Sequence, residues 1–260
     1  MILILGGTGD AIDIGSFLKD KGYSIQISTA TSYGKELVRK HTLETFDSRL
    51  QGENMHRTLS EYNIKAVIDA THPYSTKVTC NAAKACQKLE LPFVRFERPR
   101  TKIPDREGIY LVENFHQGAE MSFYLGKKIL LTTGSKDLDV FIQGLNSFDE
   151  TYRKTIKLYA RVLPENDSIA KCQKLGLTPD QIIAIKGPLN YDLNKAIYKS
   201  YEISVVVTKD SGETGGTPEK IDAALDLGIN IIIVKRPEYK EISAVTNKEA
   251  VLSWLQEVQV

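Results

Sequence analysis

Cysteine is scarce in this chain. Cys80, Cys86 and Cys172 are the three in 260 residues, an odd count with no C-x-x-C pair, so neither a disulfide framework nor a zinc site fits. Histidine is nearly as scarce. His41, His56, His72 and His116 show no metal-ligand spacing, and no protein-held metal is expected. Neither sign of charge dominates: the formal net charge is +1. The chain therefore has no bulk attraction to nucleic acid or to a membrane surface, and neither is expected as a partner. An anionic ligand has to be met by local clusters. No apolar run approaches the roughly 20 residues needed to cross a bilayer. The opening run has no basic flank before Ile2 and breaks at Gly6, unlike a secretory signal, so a reducing cytoplasm is the expected setting. Low-complexity segments are absent. So are the G-x-S-x-G elbow of a Ser-His-Asp hydrolase and the G-x-x-x-x-G-K-[ST] loop of a Walker NTPase.

What the chain does have begins at once. Met1-Ile-Leu-Ile-Leu5 runs into Gly6-Gly7-Thr8-Gly9-Asp10, and the apolar helical pattern Ile12, Ile14, Phe17, Leu18 follows. This is a buried strand, a tight turn and a helix whose free N–H groups and dipole suit an anion such as a pyrophosphate. Gly7-x-Gly9 supplies two of the usual dinucleotide-binding glycines; Ile12 stands at the third position. Glycine turns also end strands for steric reasons alone.

A second strand, Ser24 to Thr29, leads into Ala30-Thr-Ser-Tyr-Gly34 and a short helix over 35–40. The acid that holds a ribose 2′-OH near the end of such a strand is missing. Ser28, Thr29 and Thr31 stand there instead, and no arginine precedes Lys35, so the sequence does not choose between NADH and NADPH. Further strands are read at 42–46 and 66–70, a helix at 54–62, and a longer helix at 74–89. Thr71-His72-Pro73-Tyr74-Ser75 closes the fourth strand, with Pro73 suited to a first helical turn and Thr71 or His72 near the cap. In an open parallel sheet, ligands bind beyond the carboxyl ends of the strands. A histidine there is either a cap or a ligand contact. The strand from Pro92 exits through Arg95, Arg98, Pro99 and Arg100. These arginines are either solvated or hold carboxylates, and the proline-rich break marks a domain boundary.

The second half repeats the theme. Strands at 109–112, 128–131, 156–162, 182–185, 205–208 and 231–234 alternate with helices, the pattern of parallel α/β sheets. Thr132-Thr-Gly134-Ser135-Lys136, Ile185-Lys186-Gly-Pro188 and Thr208-Lys209-Asp210-Ser211-Gly212 each put a lysine among small residues where a strand stops. With Arg161 they form a cationic rim suited to several carboxylates or phosphates. Gly212, Gly215 and Gly216 precede a helix and permit close approach of backbone to ligand.

Leu5-Gly-Gly-Thr8, Asp69-Ala-Thr-His-Pro-Tyr74, Arg95-Phe-Glu-Arg-Pro99, Leu131-Thr-Thr-Gly-Ser-Lys-Asp-Leu138, Ala160-Arg-Val-Leu-Pro164 and Thr208-Lys-Asp-Ser-Gly212 with Gly215-Gly216 and Glu219-Lys220, in this order, resemble the precorrin-6A reductases of corrin-ring biosynthesis. Ala30-Thr-Ser-Tyr-Gly-Lys35 is closer to the cobalt-dependent branch, which acts on cobalt-precorrin-6A. Gly9-Asp10, Ser75 and Glu213-Thr214 depart from the usual pattern.

The resemblance implies two Rossmann-like parallel-sheet domains with a cleft between them, 1–99 for the nicotinamide cofactor and 100–260 for the tetrapyrrole. It implies hydride transfer from NADH or NADPH to the conjugated macrocycle. The cofactor is expected over Gly6, Gly7, Thr8 and Gly9, with Thr29, Thr31, Thr71 and His72. The substrate is expected against Tyr74, Ser75, Arg98, Gly134, Ser135, Lys136, Arg161, Lys186, Ser211, Gly212, Gly215 and Gly216. Lys209 and Asp210 are the candidates for a catalytic role near the ring. Two rivals use the same fold: a non-catalytic nucleotide-binding sensor, and a small-sugar dehydrogenase or epimerase. The latter needs a Tyr-x-x-x-Lys pair on one helical face. Tyr198 and Tyr201 have no lysine four residues on, and Tyr124–Lys128 runs from a helix end into a strand.

Overall fold

Ile2–Leu5 forms strand β1 with all four side chains buried. A strand apolar on both faces belongs inside a parallel sheet covered by helices on each side. In this computed structural model, which describes residues 1–30, 32–47, 50 and 52–260, the chain divides into two units. One comprises Met1–Pro99 with Pro237–Val260, the other Arg100–Arg236.

In the first unit, β1 is followed by α1 (Gly9–Asp20), β2 (Ile25–Ser28), α2 (Ser32–Lys40), β3 (Glu44–Thr45), α3 (Met55–Glu61), β4 (Ala66–Asp69), α4 (Thr76–Lys88) and β5 (Phe93–Phe96). The helix read at 35–40 begins three residues earlier. The chain then builds the second unit: β6 (Ile109–Val112), α5 (Phe115–Leu125), β7 (Lys128–Leu131), α6 (Leu138–Asn146), α7 (Glu150–Arg153), β8 (Lys157–Val162), α8 (Asn166–Lys174), β9 (Ile182–Ala184), α9 (Tyr191–Ser200), β10 (Val205–Lys209), α10 (Thr217–Leu225) and β11 (Asn230–Val234). It returns as β12 (Ala244–Val245) and α11 (Lys248–Glu257).

The return corrects the expected 100–260 span: Pro237–Val260 belongs to the first unit. β12 adds to β5 in parallel, Ala244 beside Arg95 and Val245 beside Phe96. Val251 and Leu255 of α11 enter the core made by Ile4, Ile14, Leu18 and Ile27. Two residues are too short a strand to show a period, so β12 left no signal in the sequence.

The first sheet runs β12-β5-β4-β1-β2-β3, all parallel. The direction of winding reverses between β1 and β4, and ligands of doubly wound sheets sit outside the strand ends at that reversal. The second sheet runs β6-β11-β10-β7-β8-β9, also all parallel. Its reversal lies between β7 and β10. Each unit thus has its own switch point.

Candidate active site

The first unit's switch point is built by register. Leu5 lies beside Ser28 on one side and Asp69 on the other, so three strands stop level. Gly6 turns out of β1 at φ +134°. A Cβ there would lie 2.6 Å from the Ala70 carbonyl oxygen, so only glycine fits. Thr8 caps α1. Its hydroxyl accepts from the Ala11 amide at 3.3 Å and donates to the Ala70 carbonyl at 3.0 Å, stitching the β1 turn to the β4 turn. The amides of Gly7, Thr8, Gly9 and Asp10 have no partner among the described residues. Together with the α1 dipole they make an anion seat.

The β4 turn is held from below by a buried network that the sequence reading missed. Asp69 is 0% and Arg95 1% exposed. Arg95 Nη1 donates to Asp69 Oδ2 at 2.5 Å and to Thr79 Oγ1 at 2.7 Å, and Thr79 Oγ1 donates to Asp69 Oδ2 at 2.6 Å. Asp69 Oδ1 accepts from the Thr71 amide at 3.0 Å, while Arg95 Nη2 reaches the Pro73 carbonyl at 3.5 Å. Arg95 is therefore neither a solvated linker residue nor a ligand clamp. The returning tail closes over it, with the Tyr239 ring 4.8 Å from its guanidinium carbon. This network also explains why α4 starts late. The chain makes a His72–Ser75 turn, the Ser75 amide donating to the His72 carbonyl at 2.8 Å. Ser75, not Thr71 or His72, occupies the cap position, and Pro73 precedes the helix.

Gly6, Gly7, Thr8, Gly9, Thr29, Thr71 and His72 all gather at the ends of β1, β2 and β4. Thr31 lies outside the described residues. The Thr71 hydroxyl is buried without a partner, and the His72 Nδ1 accepts from the Tyr74 amide at 3.4 Å. Free amides, a glycine cradle and an orphaned hydroxyl together fit a pyrophosphate-bearing dinucleotide. Arg98 bonds Asp10 in the first turn of α1, which offsets a carboxylate that would otherwise oppose an anion there. Tyr74 and Ser75 stand on the β4 turn of this unit.

At the second switch point Lys209, ending β10, pairs with Asp137 after β7 at 2.8 Å and lies 5.0 Å from the Phe115 ring centre. Burial holds its pKa below lysine's usual value, against the pull of Asp137. Asp210, 4% exposed, is a scaffold residue. Its Oδ1 accepts from the Gly212 amide at 3.2 Å and the Thr101 amide at 3.4 Å, and its Oδ2 pairs with Arg236 at 3.1 Å. A carboxylate so engaged is poorly placed to move a proton. The Thr217 hydroxyl accepts from the Ser211 amide at 3.1 Å and donates to the Lys209 carbonyl at 3.3 Å. Gly212 and Gly216 have φ +77° and +67°, and a Cβ on Gly216 would meet Pro188 Cβ at 2.9 Å.

Gly134, Ser135 and Lys136 follow β7, and Lys186 follows β9. Lys136 and Lys186 are exposed; Ser135 bonds Ser168 at 3.3 Å. Arg161 departs from the expected rim. It shares a strand face with Tyr159 and turns inward, 8% exposed, bonding Asn194 Oδ1 at 2.7 Å.

A Tyr-x-x-x-Lys pair overlooked in the sequence does exist. Tyr191 and Lys195 on α9 bond each other at 2.5 Å, and both bond Asp226. Asp226 caps the end of α10 remote from the glycine-rich loop. The carboxylate and the phenol hold the Lys195 pKa above its usual value. This is a surface ion cluster, not an acid–base pair in a crevice.

Comparison with known proteins agrees with this architecture. Residues 1–256 match the family model described as precorrin-6x reductase CbiJ/CobK. The chain is similar to the cobalt-precorrin-6A reductase of Priestia megaterium, 34% identical over 238 residues, which cover 92% of this chain and 91% of that protein. To that of Salmonella typhimurium it is 35% identical over 237 residues, covering 91% and 87%. To the precorrin-6A reductase of Rhodococcus erythropolis it is 28% identical over 241 residues, covering 91% and 89%. A solved structure, CobK precorrin-6A reductase, shares the fold with a TM-score of 0.78 at 22% identity, covering 99% of this chain and 96% of that one.

Proposed function

The chain belongs to the precorrin-6x reductase CbiJ/CobK family, and from that premise we propose how its residues carry out the reduction. The activity is that of an oxidoreductase of cobalamin biosynthesis acting on precorrin-6A or cobalt-precorrin-6A. Identities of 29–35% to cobalt-precorrin-6A reductases, against 28% and 29% to precorrin-6A reductases, lean toward the cobalt-loaded macrocycle as substrate. The cobalt then belongs to the substrate.

The reductant is NADH or NADPH, seated at the first switch point. One observation carries this: four amides, Gly7 to Asp10 at the start of α1, have no partner among the described residues, beside a turn where only glycine fits. When bound, the reduced nicotinamide supplies hydride. The chain's own part is positioning. The amides and the α1 dipole bind the pyrophosphate, Thr8 fixes the turn, Thr71 offers its hydroxyl, and Asp69 with Arg95 holds the loop that bears Thr71 and His72. Thr29, at the end of β2, is assigned to the ribose end, and Thr31, outside the described residues, stays in that set on the sequence alone. On the second unit, Lys136, Lys186 and the Gly212–Gly216 loop, with Gly134, Ser135 and Ser211, receive the carboxylate arms of the macrocycle. Tyr74, Ser75 and Arg98 are the first-unit residues assigned to the substrate. Holding donor and acceptor at near-attack distance contributes about 7–11 kcal/mol, and the hydride chemistry is the cofactor's own. Lys209 acts near the ring; Asp210 shapes the loop beneath it.

The test is turnover with both reduced cofactors on metal-free and cobalt-loaded macrocycle. The reading expects loss of reduced cofactor only when the macrocycle is present. Binding of cofactor without any turnover would instead favour a sensor.

A further inference from the structure

Arg161 and Lys220 are an unusual pair to find inside a protein. Arg161 is the fifth residue of β8 and Lys220 lies in the first turns of α10. They are 8% and 5% exposed, and neither has a carboxylate within ion-pair distance among the described residues. Arg161, with five N–H donors, uses one on Asn194 Oδ1 at 2.7 Å. Lys220, with three, uses one on the Gly215 carbonyl at 2.9 Å. Two polar groups in the same layer are also buried without partners: the Tyr198 hydroxyl and Glu219 Oε2. Buried cations normally sit in ion pairs, because an unpaired one carries the full desolvation cost.

The cluster's position in the fold suggests what is missing. Arg161 points to the side of the sheet where Tyr159, Ile197, Tyr198 and Ile221 form the core under α9 and α10. It stands at the carboxyl end of that layer. Lys220 meets it there and braces the glycine-rich loop through Gly215. Carboxyl ends of strands are where doubly wound sheets take ligands. Two inward cations with spare donors match a single carboxylate, which can accept about four hydrogen bonds.

We propose that Arg161 and Lys220 together form the receptor for one carboxylate arm of the macrocycle, roofed by the Gly212–Gly216 loop. The proposal rests on the reading that a polycarboxylate tetrapyrrole is the substrate. It adds Lys220 to the site and moves Arg161 from the rim to the interior. It also has a titration signature. Burial and the Arg161 charge hold the Lys220 pKa down to about 7, with Glu219 pulling the other way. Tyr198, raised above its usual value by burial, stays a neutral donor. Around Lys220 the charged and titratable groups are therefore Arg161 from β8, Glu219 from α10 and Tyr198 from α9. A ligand carboxylate placed between the two cations favours the ammonium form, so binding takes up a proton above neutral pH.

Calorimetric titration of cobalt-precorrin-6A at pH 8, in two buffers of different ionisation enthalpy and without reductant, tests this. Wild type is expected to take up a proton on binding. Lys220→Met is expected to bind at least tenfold more weakly with that uptake gone. Lys220→Arg, always charged, is expected to recover most of the affinity without the uptake. Lys220→Met removes a buried amine that has no carboxylate partner among the described residues, so its fold is expected to hold, and its near-ultraviolet circular dichroism checks this. If Lys220→Met does not fold, Lys220→Arg decides: proton uptake persisting in that variant overturns the proposal. Unchanged affinity or unchanged uptake in a folded Lys220→Met also overturns it. Failure of wild type to bind the macrocycle at all is a different result, which defeats the functional reading itself.

Discussion

Replacing Arg95 by methionine is the sharpest probe of what holds the first unit together. The substitution keeps an unbranched side chain at a 1% exposed position and removes the guanidinium. Asp69, fully buried, is left with the Thr71 amide and the Thr79 hydroxyl as partners. Orphaning one member of a buried ion pair costs about 3–5 kcal/mol. At roughly 4 °C per kcal/mol for a unit of this size, its unfolding midpoint should drop by about 12–20 °C. The assay is unusually direct. The single tryptophan of the chain, Trp254, packs against the first unit's core, so its fluorescence follows that unit. The double variant Asp69→Asn with Arg95→Met removes the orphan charge and should recover much of the loss, giving a large coupling in the mutant cycle. An Arg95→Met midpoint within about 3 °C of wild type, or strictly additive single changes, would refute the reasoning.

Other outcomes follow from the same structure. Gly216→Ala forces a Cβ to 2.9 Å from Pro188 at φ +67°. About 1–2 kcal/mol of backbone strain should weaken macrocycle binding several-fold while leaving nicotinamide binding unchanged in fluorescence titrations. Deleting Pro237–Val260 removes β12 and the α11 side chains from the first core. The remaining chain should lose nicotinamide binding and become sensitive to protease within Met1–Pro99. Lys209→Ala breaks the Asp137 pair and should lower kcat/KM at least tenfold. Lys220 is neutral when folded above about pH 7 but charged when unfolded up to about 10.4. The unfolded state therefore binds the extra proton in that window, and stability rises with pH by up to about 1.4 kcal/mol per unit. It is lost as pH falls toward 7. Denaturant titrations should show this slope in wild type and its absence in Lys220→Met.

The sheet-forming strands were largely legible because parallel strands buried on both faces read as unbroken apolar runs, as in Ile2–Leu5 and Val205–Val207. The glycines at 6, 212 and 216 were legible as turn formers, since strand-to-helix turns need conformations closed to other residues. Residues that act through long-range pairing were not. Asp69 and Arg95 are 26 positions apart, and nothing local joins them, although an arginine inside Phe93-Val-Arg-Phe96 is itself a sign of a buried partner. Lys220 carried a similar sign, sharing a helical face with Ala223 and Ala224. Arg161 reads as a rim residue from its place at a strand end; only its two-residue offset from the buried Tyr159 marks it as inward-facing. The tail's return to the first unit rests on a two-residue strand and on Tyr239 covering Arg95, neither of which has a sequence period, and on α11, whose apolar face does not say which core it enters.

The claim on which the functional account turns is that the reduced nicotinamide sits on the Gly6–Asp10 turn. Equilibrium titration of Gly6→Ala with NADH and NADPH tests it most directly, because the added methyl would displace the Ala70 carbonyl and with it the Thr8 bridge. The account predicts at least a tenfold loss of affinity for whichever cofactor wild type binds, with macrocycle affinity within twofold of wild type. Undiminished nicotinamide affinity in a folded Gly6→Ala protein would contradict it.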